Sequence, residues 1–156
     1  EESLKEICDL IEELEIKEGE LEIEVTETAV MLRLDQAKDS LEKLRTSGIT
    51  IAMDDFGTGY SSLTYLHTLP FDIVKIDRDF IRNISKSEDE SFLYKTVIDL
   101  AHNMNLTVVA EGVETEEQKE FLIRNKCDVG QGYYFSRPVP AEEIEKLMKE
   151  MCECKN

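Results

Sequence analysis

Positive charge is what this sequence has least of: 18 Lys and Arg stand against 35 Asp and Glu in 156 residues, a formal net charge of −17. The deficit excludes a grip on duplex nucleic acid through a basic patch, which needs a local surplus of Lys and Arg against phosphate. If the ligand is itself a phosphate ester, the opposing charge has to come from a metal ion. Tryptophan is absent and there are 3 prolines, so no Pro-rich linker divides the chain, and no low-complexity segment does either. No run of 18 apolar residues is present, which excludes a membrane-spanning helix read from hydropathy. The four cysteines, Cys8, Cys127, Cys152 and Cys154, form no C-x-x-C pair. The expected state is reduced thiols in a cytoplasmic protein, the C-x-C at Cys152 and Cys154 being the one arrangement open to a metal clip. The opening Glu1-Glu2-Ser3 has neither Met nor a signal-peptide core and reads as an excised or processed piece.

What is present is a globular composition, 41% hydrophobic beside 34% charged, in a length that predicts one domain with a sizeable core. The apolar residues keep switching period. Leu4, Ile7, Cys8, Ile11 and Leu14 recur at helical spacing and stop at Lys17-Glu18-Gly19. Leu21, Ile23 and Val25 alternate with Glu22, Glu24 and Thr26, as a strand does. Leu34, Ala37, Leu41 and Leu44 form the next helical stripe, closed by Gly48 as a left-handed cap. Ile49 to Met53 predicts a strand running into turn formers at Asp54-Asp55-Phe56-Gly57-Thr58-Gly59, and a short helix is expected over Ser61 to His67. Ile73 to Ile76 predicts a strand, Ser85 to Asp89 a polar loop, and Leu93, Val97, Leu100 and Met104 a helical stripe. Leu106 to Ala110 predicts another strand. Thr115 with Gln118 is a capping box opening a helix through Phe121 and Leu122. Val129 to Phe135 is strand-like, and Pro140 starts a last helix with Ile144, Leu147, Met148 and Met151 on one face.

Alternating strands and helices with apolar strands predict a parallel sheet covered by helices. Five such units in this length are too few for an eight-unit barrel, which takes about 250 residues. The expected fold is α/β of the (β/α)8 TIM-barrel type, here a partial barrel of about five strand–helix units. The polar signals gather where those folds keep their chemistry, at the carboxyl ends of the strands: Glu24 and Glu27, Asp54 and Asp55, Lys75 and Asp77, Glu111 and Glu114, Gln131. Converging carboxylates repel unless a cation sits between them, and oxygen ligands without His or Cys select hard ions such as Mg²⁺ or Mn²⁺. Two such ions would support an in-line phosphoryl displacement, with Lys75 on the attacking water or the developing charge. Each element alone has a plainer explanation. An Asp-Asp pair is usually a solvated turn, and Glu142, Glu143 and Glu145 are a solvated helix face. His67 and His102 are lone surface or packing residues, and Tyr133, Tyr134 and Phe135 are half core rather than a base-stacking platform. Five strand ends carrying ionisable or amide groups together do not reduce to such explanations.

At these residues the sequence resembles the EAL domain, the bacterial cyclic di-GMP phosphodiesterase family. The resemblance is carried by Glu24-Val25-Thr26-Glu27, Asp54-Asp55-Phe56-Gly57-Thr58-Gly59-Tyr60-Ser61-Ser62-Leu63, Lys75-Ile76-Asp77, Glu111-Gly112-Val113-Glu114 and Gln131-Gly132-Tyr133-Tyr134-Phe135-Ser136-Arg137-Pro138. It implies a barrel that binds two Mg²⁺ or Mn²⁺ ions and hydrolyses cyclic di-GMP to linear pGpG in second-messenger signalling. By position, Glu24, Asp54 and Asp55 would be metal ligands, with Asp54 the bridge. Lys75 would contact the nucleophilic water, and Glu111 would bind or deprotonate metal-bound water. Gln131 and Arg137 would lie at the substrate. Glu27 and Glu114 would support loops, Glu27 by tethering the Asp-Asp-Phe-Gly loop.

The Glu-Ala-Leu segment of the family, whose Glu is a metal ligand, and an Asn ligand should both lie upstream of Glu24. Residues 1–18 read instead as the helix before the Glu24 strand. The expectation is that residues 1–156 are the C-terminal portion of the domain and inactive alone, within a parent that carries other signalling domains. That parent is expected in the cytoplasm, or anchored to the membrane by domains outside this chain. Open sheet edges predict a homo-oligomer. The rival reading is a degenerate module that binds cyclic di-GMP or a protein partner without catalysis.

Overall fold

The computed structural model describes residues 2–31, 34–57, 63–82, 84 and 88–153, with the side chains of 2–5, 27, 31, 35–36, 63–64, 88–90 and 150–153 outside that description. The chain runs α1 (Glu2–Glu13), β1 (Glu22–Thr26), α2 (Glu27–Met31), α3 (Leu34–Thr46), β2 (Thr50–Phe56), α4 (Leu63–Thr68), β3 (Ile73–Ile76), α5 (Arg78–Ile81), α6 (Glu88–Asn103), β4 (Thr107–Glu111), α7 (Glu116–Arg124), β5 (Val129–Gln131) and α8 (Ala141–Glu153). All five strands are parallel and lie in sequence order, β1-β2-β3-β4-β5. The expected partial (β/α)8 arrangement of five units is therefore what the chain builds.

The period-two alternation of the strands separates two faces. Ile51 and Met53, Val74 and Ile76, Val108 and Ala110 enter one buried cluster with Leu41 and Leu44 of α3 and Tyr94 and Ile98 of α6. The opposite face carries Glu24, Ala52, Asp54, Lys75, Val109 and Glu111, aligned by the pairings Glu24↔Ala52 and Lys75↔Val109. Helices cover the first face, and the second is left to the site.

Local signals work as their chemistry predicts. Gly48 adopts φ +83° after α3, and the Ile49 N–H reaches back to the Leu44 carbonyl at 3.3 Å. The Thr115 hydroxyl accepts from the Gln118 N–H at 3.3 Å, and Gln118 Oε1 accepts from the Thr115 N–H at 3.0 Å, completing the capping box. Four expectations need correction. First, β2 does not turn at Asp54 but continues to Phe56. Second, β5 ends at Gln131 rather than Phe135, because Tyr134 and Phe135 fold into a turn whose N–H groups bond Val113 and Gly132 carbonyls at 2.9 and 3.1 Å. Third, the buried stripe of α6 is Tyr94, Ile98 and Ala101, while Leu93 is 50% exposed; two adjacent apolar rows run along this helix, and spacing alone does not choose between them. Fourth, the expected polar loop ends by Glu88 and Asp89, which are already helical, and residues 85–87 lie outside the described set. The helix expected from Ser61 starts, within the described residues, at Leu63. Cys8 and Cys127 are free thiols, and the Cys152 and Cys154 side chains lie outside the described residues.

At the amino ends of the strands one clasp occurs twice. Asp72 precedes β3, accepts from the Ile51 N–H of β2 at 3.1 Å, and pairs with Arg45 of α3 at 2.9 Å. Asp128 precedes β5, accepts from the Val108 N–H of β4 at 2.8 Å, and meets His102 of α6 at 2.9 Å. Burial alone would raise the Asp128 carboxyl, but the Val108 N–H and His102 outweigh it and hold it below the ordinary aspartate range. A depressed folded value means stability that is full above the ordinary range and lost as pH falls through the folded value. Asp128→Ala is therefore expected to cost about 1–3 kcal/mol at neutral pH, because the buried Val108 amide loses its acceptor. Urea unfolding should show the gap from wild type narrowing in acid, below about pH 4; an undiminished gap at pH 3 would remove the charge from this account.

Candidate active site

The rim at the carboxyl ends of β1 to β4 is assembled around one buried cation. Lys75 of β3 is 5% exposed, although a lysine is almost never buried without partners. Its Nζ contacts Glu24 of β1, pairs with Glu111 of β4 at 2.8 Å, and lies 3.9 Å from Asp54 of β2. Three strands thus point carboxylates at the ammonium of a fourth. Burial by itself would push the Lys75 ammonium toward losing its proton. The hydrogen bonds it donates to Glu111 and Glu24, with the charges of Glu111 and Asp54, reverse this and raise it above the ordinary lysine value.

The adjacent Asp54 and Asp55 share this rim because β2 bulges. Met53 pairs with Val74 and Phe56 with Ile76, so three steps along β2 oppose two along β3. Asp55 takes the left-handed conformation, φ +56°, which aspartate tolerates better than most residues, and its N–H donates to Asp54 Oδ1 at 2.9 Å. Burial, and then the charges of Asp54 and Asp77, raise the Asp55 carboxyl above its ordinary value; Lys75 pulls the other way. The sequence suggested that a turn at Phe56-Gly57 would bring the two carboxylates together. An extra residue within the strand does so instead.

The outlying residues are placed less centrally. Gln131 ends β5, exposed and in register with Glu111. Arg137 is exposed and lies over the Tyr133 ring at 4.7 Å, and among the described residues it makes no ion pair with the acidic rim. Glu114 takes part through its backbone, whose N–H donates to Gln118 Oε1 at 2.7 Å, while its side chain is exposed. Glu27 opens α2, and its side chain is outside the described residues. Tyr133, Tyr134 and Phe135 are all exposed to a third or more, so they are less buried than a half-core reading implies.

The donor chemistry of Glu24, Asp54, Asp55 and Glu111 is that of a hard-cation site, all carboxylate oxygen. In number it falls short, since among the described residues no group of three or more His, Cys, Asp or Glu side chains is arranged to hold a metal ion. Lys75 occupies the position between them. Two contributors escaped the sequence reading as site residues. Asp77 caps α5 by accepting the Asp79 N–H at 2.8 Å, and its charge acts on Asp55. Gln118 is a buried crosslink whose Nε2 donates to the Ile81 carbonyl at 3.4 Å. Asp77 stood at a strand end and so carried a signal, whereas the Ile81 contact lies 37 residues from Gln118 and carries none.

The EAL domain family model matches residues 1–138. The chain is 48% identical over 129 residues to the cyclic di-GMP phosphodiesterase NbdA of Pseudomonas aeruginosa, covering 83% of this chain and 16% of that protein. Among solved structures, the c-di-GMP complex of the PaMucR phosphodiesterase superposes with a TM-score of 0.83 at 40% identity, over 90% of this chain and 57% of that one. The EAL domain of Mycobacterium smegmatis DcpA gives a TM-score of 0.87 at 34% identity, over 94% of this chain and 66% of that domain. The chain thus spans about a sixth of NbdA's length, 16%.

Proposed function

This chain belongs to the EAL domain family, and on that premise we propose that the protein carrying it hydrolyses cyclic di-GMP to linear pGpG, with residues 1–156 supplying the C-terminal portion of the phosphodiesterase domain. The observation that supports this reading is the convergence of Glu24, Asp54 and Glu111 on the buried ammonium of Lys75 at one rim of the sheet. In the reaction a water oxygen attacks phosphorus, one ester P–O bond breaks, the freed sugar oxygen leaves as a hydroxyl by taking a proton from solvent, and one phosphate remains as a terminal monoester. Lys75 is held protonated, so it acts as a donor and not as a base: it orients the water and offsets charge growing on the phosphoryl oxygens. Glu111, hydrogen-bonded to that ammonium, receives the proton of the water. Gln131 and Arg137 take the substrate side of the rim, and Glu27 and Glu114 support the loops.

Glu24, Asp54 and Asp55 would hold Mg²⁺ or Mn²⁺, which would supply Lewis-acid charge neutralisation for the displacement. In this reading further oxygen ligands come from the parent protein and from water. The 156-residue chain alone is therefore expected to bind Mg²⁺ or Mn²⁺ at about a millimolar or more weakly, and to show no turnover. Calorimetric titration and an assay for pGpG test both. Turnover by this chain at the rate of the full-length protein would refute the incomplete site, and full-length protein that binds cyclic di-GMP without releasing pGpG would refute the enzyme. That second outcome is the alternative, a binding module without catalysis.

Among the described residues the sheet order leaves β1 and β5 each with one edge unpaired. Such edges pair with other strands, so the chain is expected to form a homo-oligomer when isolated; a single monomeric species in sedimentation at micromolar concentration would count against this. Among the described residues no helix is long and apolar enough to cross a membrane. The site faces the cytoplasm in this reading, with other signalling domains, and any membrane anchor, elsewhere in the parent.

A further inference from the structure

The one-turn helix α5 is packed more tightly than its length explains. It follows Lys75-Ile76-Asp77 directly and touches the turns that follow both neighbouring strands. On one side the Phe80 ring fills the space over Gly57, where a Cβ would lie 2.1 Å from Phe80 Cε2. On the other, Arg78 presses on Gly112, where a Cβ would lie 2.3 Å from Arg78 Cβ. Both glycines have positive φ, +98° and +70°, so each turn is shaped for close approach. Gly57 comes two residues after Asp55, and Gly112 comes one residue after Glu111.

The underside of α5 is fixed as well. Ile81 is fully buried, and its carbonyl accepts from the side-chain amide of Gln118. The same amide's oxygen accepts the N–H groups of Glu114 and Thr115, at 2.7 and 3.0 Å, in the loop that leaves Glu111. Two glycine notches and one buried amide thus tie a single turn of helix to the ends of β2 and β4, with Lys75 between them.

We propose that α5 is a wedge setting the spacing between the Asp54–Asp55 bulge and Glu111 about Lys75, and that Phe80 is its principal positioning residue. Phe80 touches none of the reacting groups in this account and acts through Gly57. The kinetic consequence rests on the phosphodiesterase reading above; the mechanical one does not. A misplacement of about 1 Å in a catalytic constellation costs on the order of a hundredfold in rate.

The test is a double-mutant cycle in the full-length protein, with Phe80→Ala, Gly57→Ala and the pair. Each single change should lower kcat by about ten- to a hundredfold with KM nearly unchanged. The pair should be no worse than the poorer single variant, because the methyl on residue 57 occupies space the ring has left. The strain of alanine at positive φ is present in both backgrounds and cancels in the cycle. Losses that multiply would overturn the wedge. Hydrogen exchange read by mass spectrometry gives an arm independent of turnover. Phe80→Ala should speed deuterium uptake in residues 54–57 and in residues 110–114, on both sides of α5; a change confined to 78–82 would refute the proposal. If Phe80→Ala fails to fold, Phe80→Leu should give the same pattern at smaller size, and wild-type behaviour of Phe80→Leu in both arms would refute it too. Absence of hydrolysis by the wild-type protein would defeat the phosphodiesterase reading and leave the exchange result to decide the wedge.

Discussion

Asp54→Ala in the full-length protein is expected to lower kcat by roughly a thousandfold or more while leaving its folded state as stable as before. The kinetic side follows from the proposed role of Asp54 in holding metal. Loss of Lewis-acid stabilisation is worth several kcal/mol, and a factor of ten in rate corresponds to about 1.4 kcal/mol. The stability side follows from the geometry around Lys75. Asp54 lies 3.9 Å from the ammonium, whereas Glu111 lies at 2.8 Å and Glu24 makes a hydrogen bond with it. Removing Asp54 leaves the two closer partners in place, and the relief of its repulsion on Asp55 offsets the loss of the acceptor for the partly buried Asp55 N–H. The change in unfolding free energy is therefore expected to stay within about 0.5 kcal/mol. Steady-state assays with Mg²⁺ and Mn²⁺, metal titration and urea unfolding on one preparation separate the two effects. Unchanged metal affinity would withdraw Asp54 from the ligand set, whatever happened to the rate.

How far the sequence could be read depended on whether the signal was local. The strand over Ile73–Ile76, the cap at Gly48 and the Thr115–Gln118 box were legible because each is written within a few residues, as apolar run, turn glycine or side-chain hydrogen bond. Two short helices, Glu27–Met31 and Arg78–Ile81, have too few residues to show a helical period and went unread. Tyr133-Tyr134-Phe135 carries strong strand propensity, yet a Cβ on Gly132 would meet Val113 backbone atoms at 2.2 and 2.3 Å, so the chain turns there against Val113. That contact joins distant segments, and no window of sequence contains it. The same division holds for the site. The places of Glu24, Asp54, Lys75 and Glu111 toward the strand ends were legible from alternation. The burial of Lys75, the bulge that turns Asp54 and Asp55 to one rim, and the Gln118 crosslink arise only when separate strands are brought together.

Lys75→Met is expected to behave differently from Asp54→Ala, losing both rate and stability. With Lys75 gone, Glu24, Asp54 and Glu111 face one another without the cation that now offsets them. Removing one member of a well-buried pair costs about 3–5 kcal/mol. Here the carboxylate side chains remain 46%, 22% and 21% exposed, so water screens part of the penalty and about 1–3 kcal/mol is expected. The pH dependence has a definite sign. The folded Lys75 value lies above the ordinary one, so its contribution is complete below the ordinary lysine range and is lost as pH rises through the folded value. The contribution also requires ionised partners, so the deficit of the methionine variant should shrink below about pH 4, where carboxylates take up protons. Between those limits, near neutral pH, the difference from wild type should be flat. The rate should fall about a hundred- to a thousandfold, as for loss of one positioned donor to developing charge, with metal affinity retained or increased because three carboxylates are freed from the ammonium. Urea unfolding from pH 3 to 8 and metal titration of the variant read both effects. Wild-type stability across that range would mean that Lys75 does not hold the rim together, and abolished metal binding would mean that it helps to build the metal site rather than to act beside it.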